Sequence, residues 1–183
     1  MISNPLMFAA TSDFSGVTRG KAFPLKEMEK RFRQGVGWTP TNVQITCFDA
    51  IADSPFGSFG DLILVPDADT AVTLDLEDGG PVERFVLGDI LDLEGTPWSC
   101  CTRSILKQAL KRLEDVSGLR LIAAFEHEFQ TRETPPGPGE AFGLASFANH
   151  RAFGETVMAA LELAGVKPDT FLKEYGADQF EVT

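Results

Sequence analysis

Near its N-terminus the chain reads Asp13-Phe-Ser-Gly-Val-Thr-Arg-Gly20, which predicts two short β-strands joined by a tight turn at Ser15-Gly16. A short helix is predicted over Pro24 to Gln34, since proline is tolerated in a first helical turn and apolar residues recur on one face. Further strands are predicted at Val43 to Cys47, Leu62 to Val65, Ala71 to Leu76 and Arg84 to Leu93. Residues 12–95 therefore predict a small α+β unit.

The pattern changes after this unit, where longer helical and apolar segments begin. Thr102 can cap a helix that runs to about Val116, and Gly118 is placed to end it. A second helix is predicted over Asn149 to Ala164. The remaining segments are predicted as strands at Leu119 to Phe129 and Gln179 to Thr183, and as irregular loops at Asp53 to Gly60 and Thr134 to Gly139.

The composition is that of an ordinary globular chain of 183 residues, with 43% hydrophobic residues and a net charge of -11. A surface this acidic repels phosphate backbones, so we expect no nucleic-acid partner. The segment Met1 to Ala10 lacks the features of a signal peptide, and no apolar segment is long enough to span a membrane. Cys47, Cys100 and Cys101 show no metal-binding spacing, so we expect reduced, buried thiols in a cytoplasmic protein.

Glu126 and Glu128 lie two apart in a predicted strand, so both side chains are expected on the same side of a sheet. Two like charges side by side are unfavourable unless water or a cation lies between them. For this pair alone we favour a solvated strand face, because glutamate side chains are usually exposed.

Glu174 and Glu181 flank a compact loop in which Gly176 permits a sharp turn. The simplest interpretation is a hairpin whose acidic side chains point outward. The alternative is a metal site, since four carboxylates from two strand regions would suit a hard cation such as Mg²⁺ or Mn²⁺. No histidine lies in a metal-binding motif, and Arg19 is interpreted as a turn or interface residue.

Five motifs, taken in chain order, make the sequence resemble the glutamine synthetase family. They are Val17-Thr-Arg-Gly-Lys21, similar to the family's GxxRGK segment; Leu64-Val-Pro-Asp-Ala-Asp-Thr-Ala71, similar to LxPDxxTA; Cys101-Thr-Arg-Ser-Ile-Leu106, similar to xPRxxL; Phe125-Glu-His-Glu-Phe129, similar to ExEF; and Glu174-Tyr-Gly-Ala-Asp-Gln-Phe-Glu181, similar to EYGPGQFE. Each motif alone is only modest evidence for this resemblance. Together, in the family's order and spacing from about residue 13 onward, they are a specific signal.

The resemblance implies an N-terminal β-grasp domain over residues 1–97, followed by the first part of an α/β catalytic domain over residues 98–183. It also implies ATP as co-substrate: ATP phosphorylates the carboxylate of an amino acid, and ammonia or an amine displaces the phosphate. Such enzymes form homo-oligomeric rings, and each active site is shared between the β-grasp domain of one subunit and the catalytic domain of its neighbour.

Roles for single residues follow from the same resemblance. Glu128, Glu174 and Glu181 would hold one Mg²⁺ or Mn²⁺ ion near the acyl phosphate, and Glu126 would help to hold a second ion beside the nucleotide. Asp49 would be the catalytic aspartate that helps to bind ammonium from across the subunit boundary.

The sequence departs from the family in two ways. The family's FDGSS segment is Phe48-Asp49-Ala-Ile-Ala52 here, so the aspartate is kept without the small polar residues, and the amine acceptor stays open. There is also no later metal-binding histidine motif, flap glutamate or cluster of substrate arginines. We therefore expect the front part of a ligase, cut short and inactive by itself. The alternatives are a non-catalytic β-grasp module that binds a metal or a partner, and a carboxylate-only metal hydrolase, which lacks an evident base.

Overall fold

A computed structural model describes residues 3–57, 60–131 and 137–183. The chain divides into two compact units, of which the first comprises Met1–Thr73 and Glu83–Leu121 and the second Leu74–Val82 and Ile122–Thr183. These compact units do not test the predicted domain boundary between residues 97 and 98, which stays a prediction. The loops predicted at residues 53–60 and 134–139 lie partly outside the described residues.

The first unit is built on a mixed β-sheet with the strand order β2-β1-β6-β4-β3, in which β5 also pairs with β6. Its strands are β1 (Leu6–Ser12), β2 (Thr18–Pro24), β3 (Val36–Trp38), β4 (Leu62–Pro66), β5 (Val72–Leu74) and β6 (Glu83–Leu91). Strands β1 and β6 are parallel, whereas the β1–β2, β3–β4 and β4–β6 pairs are antiparallel. The predicted α+β class of this unit is confirmed.

The core of the first unit lies between this sheet and the helix α1 (Met28–Gln34), which packs against β4. Short 3-10 turns at Leu25–Glu27, Pro40–Val43 and Ala68–Thr70 connect the elements. Fully buried core side chains come from β4 and β6, and Phe32 of α1 packs against them. The alternating apolar residues of the strands therefore lie in the core, as the sequence predicts.

Helix α2 (Thr102–Ser117) closes the first unit, and it is one residue longer than predicted. Gly118 ends it in the left-handed conformation with φ 69°. The predicted capping role of Thr102 is wrong, because the residue before the helix is Cys101 and no described side chain caps it. The Thr102 hydroxyl instead donates a hydrogen bond to the carbonyl oxygen of Ser12, at 3.0 Å, and ties the helix to the end of β1.

The second unit holds a three-stranded antiparallel sheet with the order β7-β9-β8 and a long helix. Its elements are β7 (His127–Gln130), α3 (Leu144–Leu163), β8 (Phe171–Lys173) and β9 (Gln179–Val182). Aromatic rings join the helix to the sheet: Phe153 of α3 contacts Phe129, Phe171 and Phe180, with ring centroids 5.3–6.2 Å apart. This aromatic cluster fixes one face of the sheet and leaves the other face to polar side chains.

Two predicted strands are wrong in part or in whole. The strand predicted over Leu119 to Phe129 begins only at His127, because no described strand pairs with residues 119–126 and their side chains are exposed. The strand predicted over Val43 to Cys47 is replaced by a turn, since the Thr46 hydroxyl accepts hydrogen bonds from the N–H groups of Phe48 and Ala50. Backbone groups that bond locally in this way are not free for a sheet.

The cysteines are free thiols, as expected, but only Cys101 is buried. Its sulfur accepts a hydrogen bond from the N–H of Ile90 inside the core. Cys47 is exposed, so the prediction that it is a buried apolar residue is wrong, because the turn at Thr46 turns this segment towards solvent.

Candidate functional site

The centre of the candidate site is the pair formed by β7 and β9, where Glu128 lies opposite Glu181 in the antiparallel register. Side chains of directly opposed residues lie on the same face of a sheet, so the two carboxylates share one face. The next pair, Phe129 and Phe180, faces the other way, with ring centroids 6.0 Å apart. The strand period therefore separates a carboxylate face from the aromatic face that α3 covers.

Glu174 joins this face from the third strand. Its N–H donates to the carbonyl oxygen of Gln179 at 2.8 Å, which extends the β8–β9 ladder by one residue. Leu172 is the register partner of Glu181, and Glu174 lies two residues further along the same side. Glu126 stands one residue before β7 and is exposed, so it reaches the site from an irregular segment and not from a strand.

The loop between Glu174 and Glu181 is held by two polar side chains. Lys173 is buried, and its ammonium donates to the carbonyl oxygens of Glu174 at 2.9 Å and Gly176 at 2.6 Å. The Gln179 side chain accepts from the N–H of Gly176 at 2.9 Å, and its amide nitrogen donates to a Glu128 carboxylate oxygen. Hydrogen bonds from Lys173 of β8 and Gln179 of β9 therefore hold the loop to the strands on either side of it.

The electrostatics of the site converge on Glu181. Its pKa is raised above the ordinary value by partial burial first, then by a hydrogen bond with Glu174, and then by the negative charges of Glu126, Glu174 and Glu128. The other three glutamates are therefore all near enough to act on its carboxyl group. Strand pairing places Glu128 and Glu174 on the face of Glu181, a contact between the two acidic segments that the sequence alone did not establish.

The donor set fits a hard divalent cation, because it consists of carboxylate oxygens whose mutual repulsion a cation would neutralise. The side chains are not arranged as a ready coordination shell: the described residues contain no group of three or more His, Cys, Asp or Glu side chains placed to hold a metal ion. Some carboxylate oxygens are instead engaged locally, since Glu174 accepts from the N–H of Tyr175 at 3.0 Å. The side chains would have to turn before they could coordinate an ion.

Asp49 lies in the first unit, on the turn that begins at Thr46. It adopts φ 58°, a left-handed conformation that residues other than glycine seldom take. Its side chain is 84% exposed and pairs with the Arg19 guanidinium at 3.3 Å. The same guanidinium donates to the Thr46 carbonyl oxygen at 3.2 Å and binds Asp13, whose carboxylate is fully buried. Arg19 therefore ties the exposed carboxylate of Asp49 to the buried Asp13.

Comparison with known proteins identifies the family of the chain. Residues 4–98, just over half of the chain, match the family model of the glutamine synthetase N-terminal domain. The chain belongs to the glutamine synthetase family. A crystal structure of a novel glutamine synthase homolog is similar to this chain over its whole length, with 38% identity and a TM-score of 0.86, and the match covers 43% of that chain. The predicted fold, a β-grasp-like N-terminal domain followed by the start of a glutamine-synthetase-type catalytic domain, is therefore confirmed.

Two curated members of the glutamine synthetase family cover 93% of this chain. They are the gamma-glutamylpolyamine synthetase GlnA3 of Streptomyces coelicolor, 29% identical, and the type-1 glutamine synthetase 1 of Dictyostelium discoideum, 26% identical. The chain spans only 38% and 39% of the length of these two relatives. Among the described residues no helix is both long and apolar enough to cross a bilayer.

Three residues that contact the candidate residues, in one unit or the other, were not predicted from the sequence. Gln179 and Lys173 brace the acidic loop, and Asp13 anchors Arg19. Gln179 lies inside the EYGPGQFE-like motif, so the motif itself was the available signal. Lys173 follows two apolar strand residues, and a lysine in such a position is a signal of an internal hydrogen-bonding role.

Proposed function

We propose that this chain is the N-terminal portion of an ATP-dependent ligase that joins the side-chain carboxylate of an amino acid to ammonia or an amine, through an acyl phosphate, to give a γ-glutamyl amide. The observation that carries the proposal is the β7–β9 register, which places Glu128 beside Glu181, with Glu174 on the same face of the sheet. Membership of the glutamine synthetase family supports it. The four residues lie in two segments that resemble the family's metal-binding motifs.

In this proposal Glu128, Glu174 and Glu181 would hold one Mg²⁺ or Mn²⁺ ion, and Glu126 would help to hold a second. When bound, such ions neutralise the transferring phosphoryl group and orient its oxygens. The protein side chains supply the frame: the β7–β9 register sets the spacing between Glu128 and Glu181, and the braces from Lys173 and Gln179 fix the loop that carries Glu174. Fixed carboxylates reduce the reorganisation that binding requires.

Asp49 would act on the nucleophile, by attracting the ammonium or protonated amine before attack. Its exposure and its fixed pairing with Arg19 support this role, since a carboxylate that meets a substrate from outside its own domain must be accessible. The name of the Streptomyces relative favours an amine over ammonia as acceptor. We propose a cytoplasmic, ring-forming protein in which the site is completed by residues outside this chain, in line with its coverage of 38% of that relative.

The alternative is a non-catalytic module of this family that binds a metal ion or a partner. The carboxylates of the described residues form no ready coordination shell, so for such a module a partner is favoured over a metal ion unless the side chains turn. The two proposals differ in what Asp49 does, because only a ligase needs a carboxylate for the amine.

Turnover measurements test the proposal. The purified 183-residue chain, given ATP, glutamate and an amine, is expected to form no γ-glutamyl product. Fused to the remaining part of the Streptomyces coelicolor relative, it is expected to give ATP-dependent product that Glu128→Gln and Asp49→Asn both abolish, while Glu162→Gln, on the exposed surface of α3, leaves the rate unchanged. Turnover by the isolated chain, or full activity of the Asp49→Asn fusion, would contradict the proposal.

A further inference from the structure

The turn that carries Asp49 displays apolar residues before and after the carboxylate. Phe48 directly precedes Asp49 and is 88% exposed, and Ile51 follows two residues later and is 62% exposed. The side chain of Asp49 is itself 84% exposed. A cationic ligand that reaches this carboxylate therefore meets apolar surface beside it, and covering that surface on binding is favourable.

Hydrogen bonds inside the turn hold its backbone in one conformation. The Thr46 hydroxyl accepts from the N–H groups of Phe48 at 3.3 Å and Ala50 at 3.2 Å. The Thr46 carbonyl oxygen accepts from the N–H of Asp49 at 3.0 Å, and the N–H of Thr46 donates to the carbonyl oxygen of Ala50 at 2.7 Å. Because this backbone is already ordered, a ligand that binds here does not have to order it.

A groove of about 340 Å³ lies beside the turn. Ile45, which forms a β-bridge with Ile51 across the turn, lines it together with Trp38. Arg19 and Lys21 line it from β2, where they are two apart, so their side chains lie on the same face of the strand, roughly 7 Å apart. The groove next to Asp49 therefore combines apolar surface with positive charge.

The two cations of the groove differ in how far their charge is compensated. Arg19 pairs with Asp13 and Asp49. The Lys21 ammonium donates to the carbonyl oxygen of Gly37, a neutral group, and the ion pairs found among the described residues do not include it. The positive charge of Lys21 therefore acts on any ligand in the groove, and it repels a second cation there.

We propose that the acceptor of this ligase is a primary monoamine with a hydrocarbon substituent, an inference that rests on the proposed ligase function and on the role of Asp49 in it. The protonated amino group would pair with the Asp49 carboxylate, and the substituent would cover the side chains of Phe48 and Ile51. Ammonia would leave this apolar surface in water and gain nothing from it. A diamine or polyamine would bring a further positive charge towards Lys21, which weakens its binding.

This class of acceptor differs from the one in the name of the Streptomyces coelicolor relative, a gamma-glutamylpolyamine synthetase. Each further cation of a polyamine needs a negative partner or water when it binds. Among the described residues that line the groove beside Asp49 there is no carboxylate, and two of them are cations. The local charges therefore favour an acceptor with a single positive charge.

The test uses the fusion of this chain to the remaining part of the Streptomyces coelicolor relative, with the unmodified relative as reference. Pentylamine, 1,5-diaminopentane and ammonia are compared by kcat/KM, because the first two differ only in the second amino group. The fusion is expected to shift the pentylamine-to-diaminopentane ratio at least about tenfold towards pentylamine, relative to the unmodified relative. An unchanged ratio, or a preference for ammonia over pentylamine, would overturn the proposal.

Two variants of the fusion test the two parts of the proposal separately. Ile51→Ser, which restores a serine of the family's FDGSS segment, should lower the pentylamine-to-ammonia ratio of kcat/KM by about fivefold to tenfold. Lys21→Gln should raise kcat/KM for diaminopentane relative to pentylamine by about threefold to fivefold. Because the added catalytic part is the same in every variant, these changes in ratio arise from this chain.

Leu93→Ser is the matched control for Ile51→Ser. Leu93 is 61% exposed and also lies in a turn of the first unit, next to Asp92, whose carboxylate accepts from the N–H of Glu94. This change is expected to leave both ratios unchanged. Ratios that do not respond to Ile51→Ser and Lys21→Gln, or that respond equally to Leu93→Ser, would overturn the proposal.

A fusion that is inactive with every amine would contradict the proposed ligase function, and a binding titration then decides the inference by itself. Amide shifts of the ¹⁵N-labelled 183-residue chain around residues 46–52 are expected to saturate at a lower concentration of pentylammonium than of ammonium or 1,5-diammoniopentane. Asp49→Asn should remove these shifts, because it removes the charge that the amine pairs with. Absent shifts, or equal affinity for the three cations, would overturn the inference.

Discussion

Glu128 in β7 is the direct register partner of Glu181 in β9, so two carboxylates lie side by side on one face of an antiparallel pair. Like charges in this position destabilise a sheet. Gln179 donates to Glu128 and relieves part of the repulsion, but the pKa of Glu181 is still raised by burial and by its acidic neighbours. A local arrangement that costs stability is typical of a functional site.

Replacing Glu181 by glutamine should therefore stabilise the chain in a metal-chelating buffer. An acid whose pKa is raised on folding lowers stability as the pH rises past its ordinary pKa of 4.5, so the gain should appear at neutral pH and vanish in acid. Thermal unfolding at pH 7 and pH 4 is the measurement, with a small upward shift of Tm expected only at pH 7. Glu162→Gln is the control, and a loss of stability in Glu181→Gln would contradict the repulsion.

Asp13 should contribute to stability with a pH dependence opposite to that of Glu181. Its burial alone would raise its pKa, but hydrogen bonds from Arg19 and from the N–H groups of Val17 and Ser15 together lower it. A lowered pKa gives stability that is complete above the ordinary value of 3.8 and is lost as the pH falls below it. Asp13→Asn should cost about 1–3 kcal/mol of unfolding free energy at pH 7, measured by urea denaturation.

Asp92 provides a matched control for Asp13. Its carboxylate also accepts from the N–H groups two and four residues on, those of Glu94 at 3.1 Å and Thr96 at 2.7 Å, in a turn of the same kind. It differs in having no arginine partner among the ion pairs of the described residues. Asp92→Asn should therefore cost clearly less than Asp13→Asn. Equal losses would show that the turn, and not the buried ion pair, carries the energy.

Arg103 is a motif residue whose ion pairs indicate a structural role. It belongs to the xPRxxL-like segment, and from α2 it pairs with Asp67 at 2.7 Å and Asp89 at 3.0 Å. Its side chain is only 19% exposed, so Arg103→Gln should cost about 1–3 kcal/mol of unfolding free energy.

The control for Arg103 is Lys111→Gln, which breaks an exposed pair with Asp115 on the same helix. This change should cost less than about 0.5 kcal/mol. Urea denaturation of both variants is the measurement, and a smaller loss for Arg103→Gln than for Lys111→Gln would contradict a structural role for the α2 ion pairs.

The sequence predicts most of the regular elements, because their signals are local. Gly118 and the apolar face of α2 are sufficient for that helix, and alternation is sufficient for β4 and β6. The strand predicted from Leu119 fails at its start, because a strand requires a neighbouring strand and apolar residues alone do not provide one. The short strands β3 and β8 were missed, since three residues carry too little pattern. Strand β1 was missed as well, because it lies ahead of the hairpin predicted over residues 13–20.

For the candidate site, the sequence proposes a set of residues, and it does not specify their geometry. Motif order selects Glu126, Glu128, Glu174 and Glu181, and Asp49. The register that places Glu128 opposite Glu181 depends on pairing between distant segments, which no local pattern specifies. The network from Asp13 through Arg19 to Asp49 was missed for the same reason, because it spans 36 positions between its two aspartates in the sequence.

Calorimetric titration of Mn²⁺ into the 183-residue chain tests the metal assignment most directly. The wild-type chain is expected to bind weakly, because its carboxylates must turn and, in the proposed ligase, further ligands would come from outside this chain. Glu128→Ala should weaken binding at least about tenfold. Glu162→Ala, an exposed glutamate on α3, should leave the affinity unchanged. Binding that is tight and equal in wild type and Glu128→Ala would contradict the assignment of the four glutamates as metal ligands.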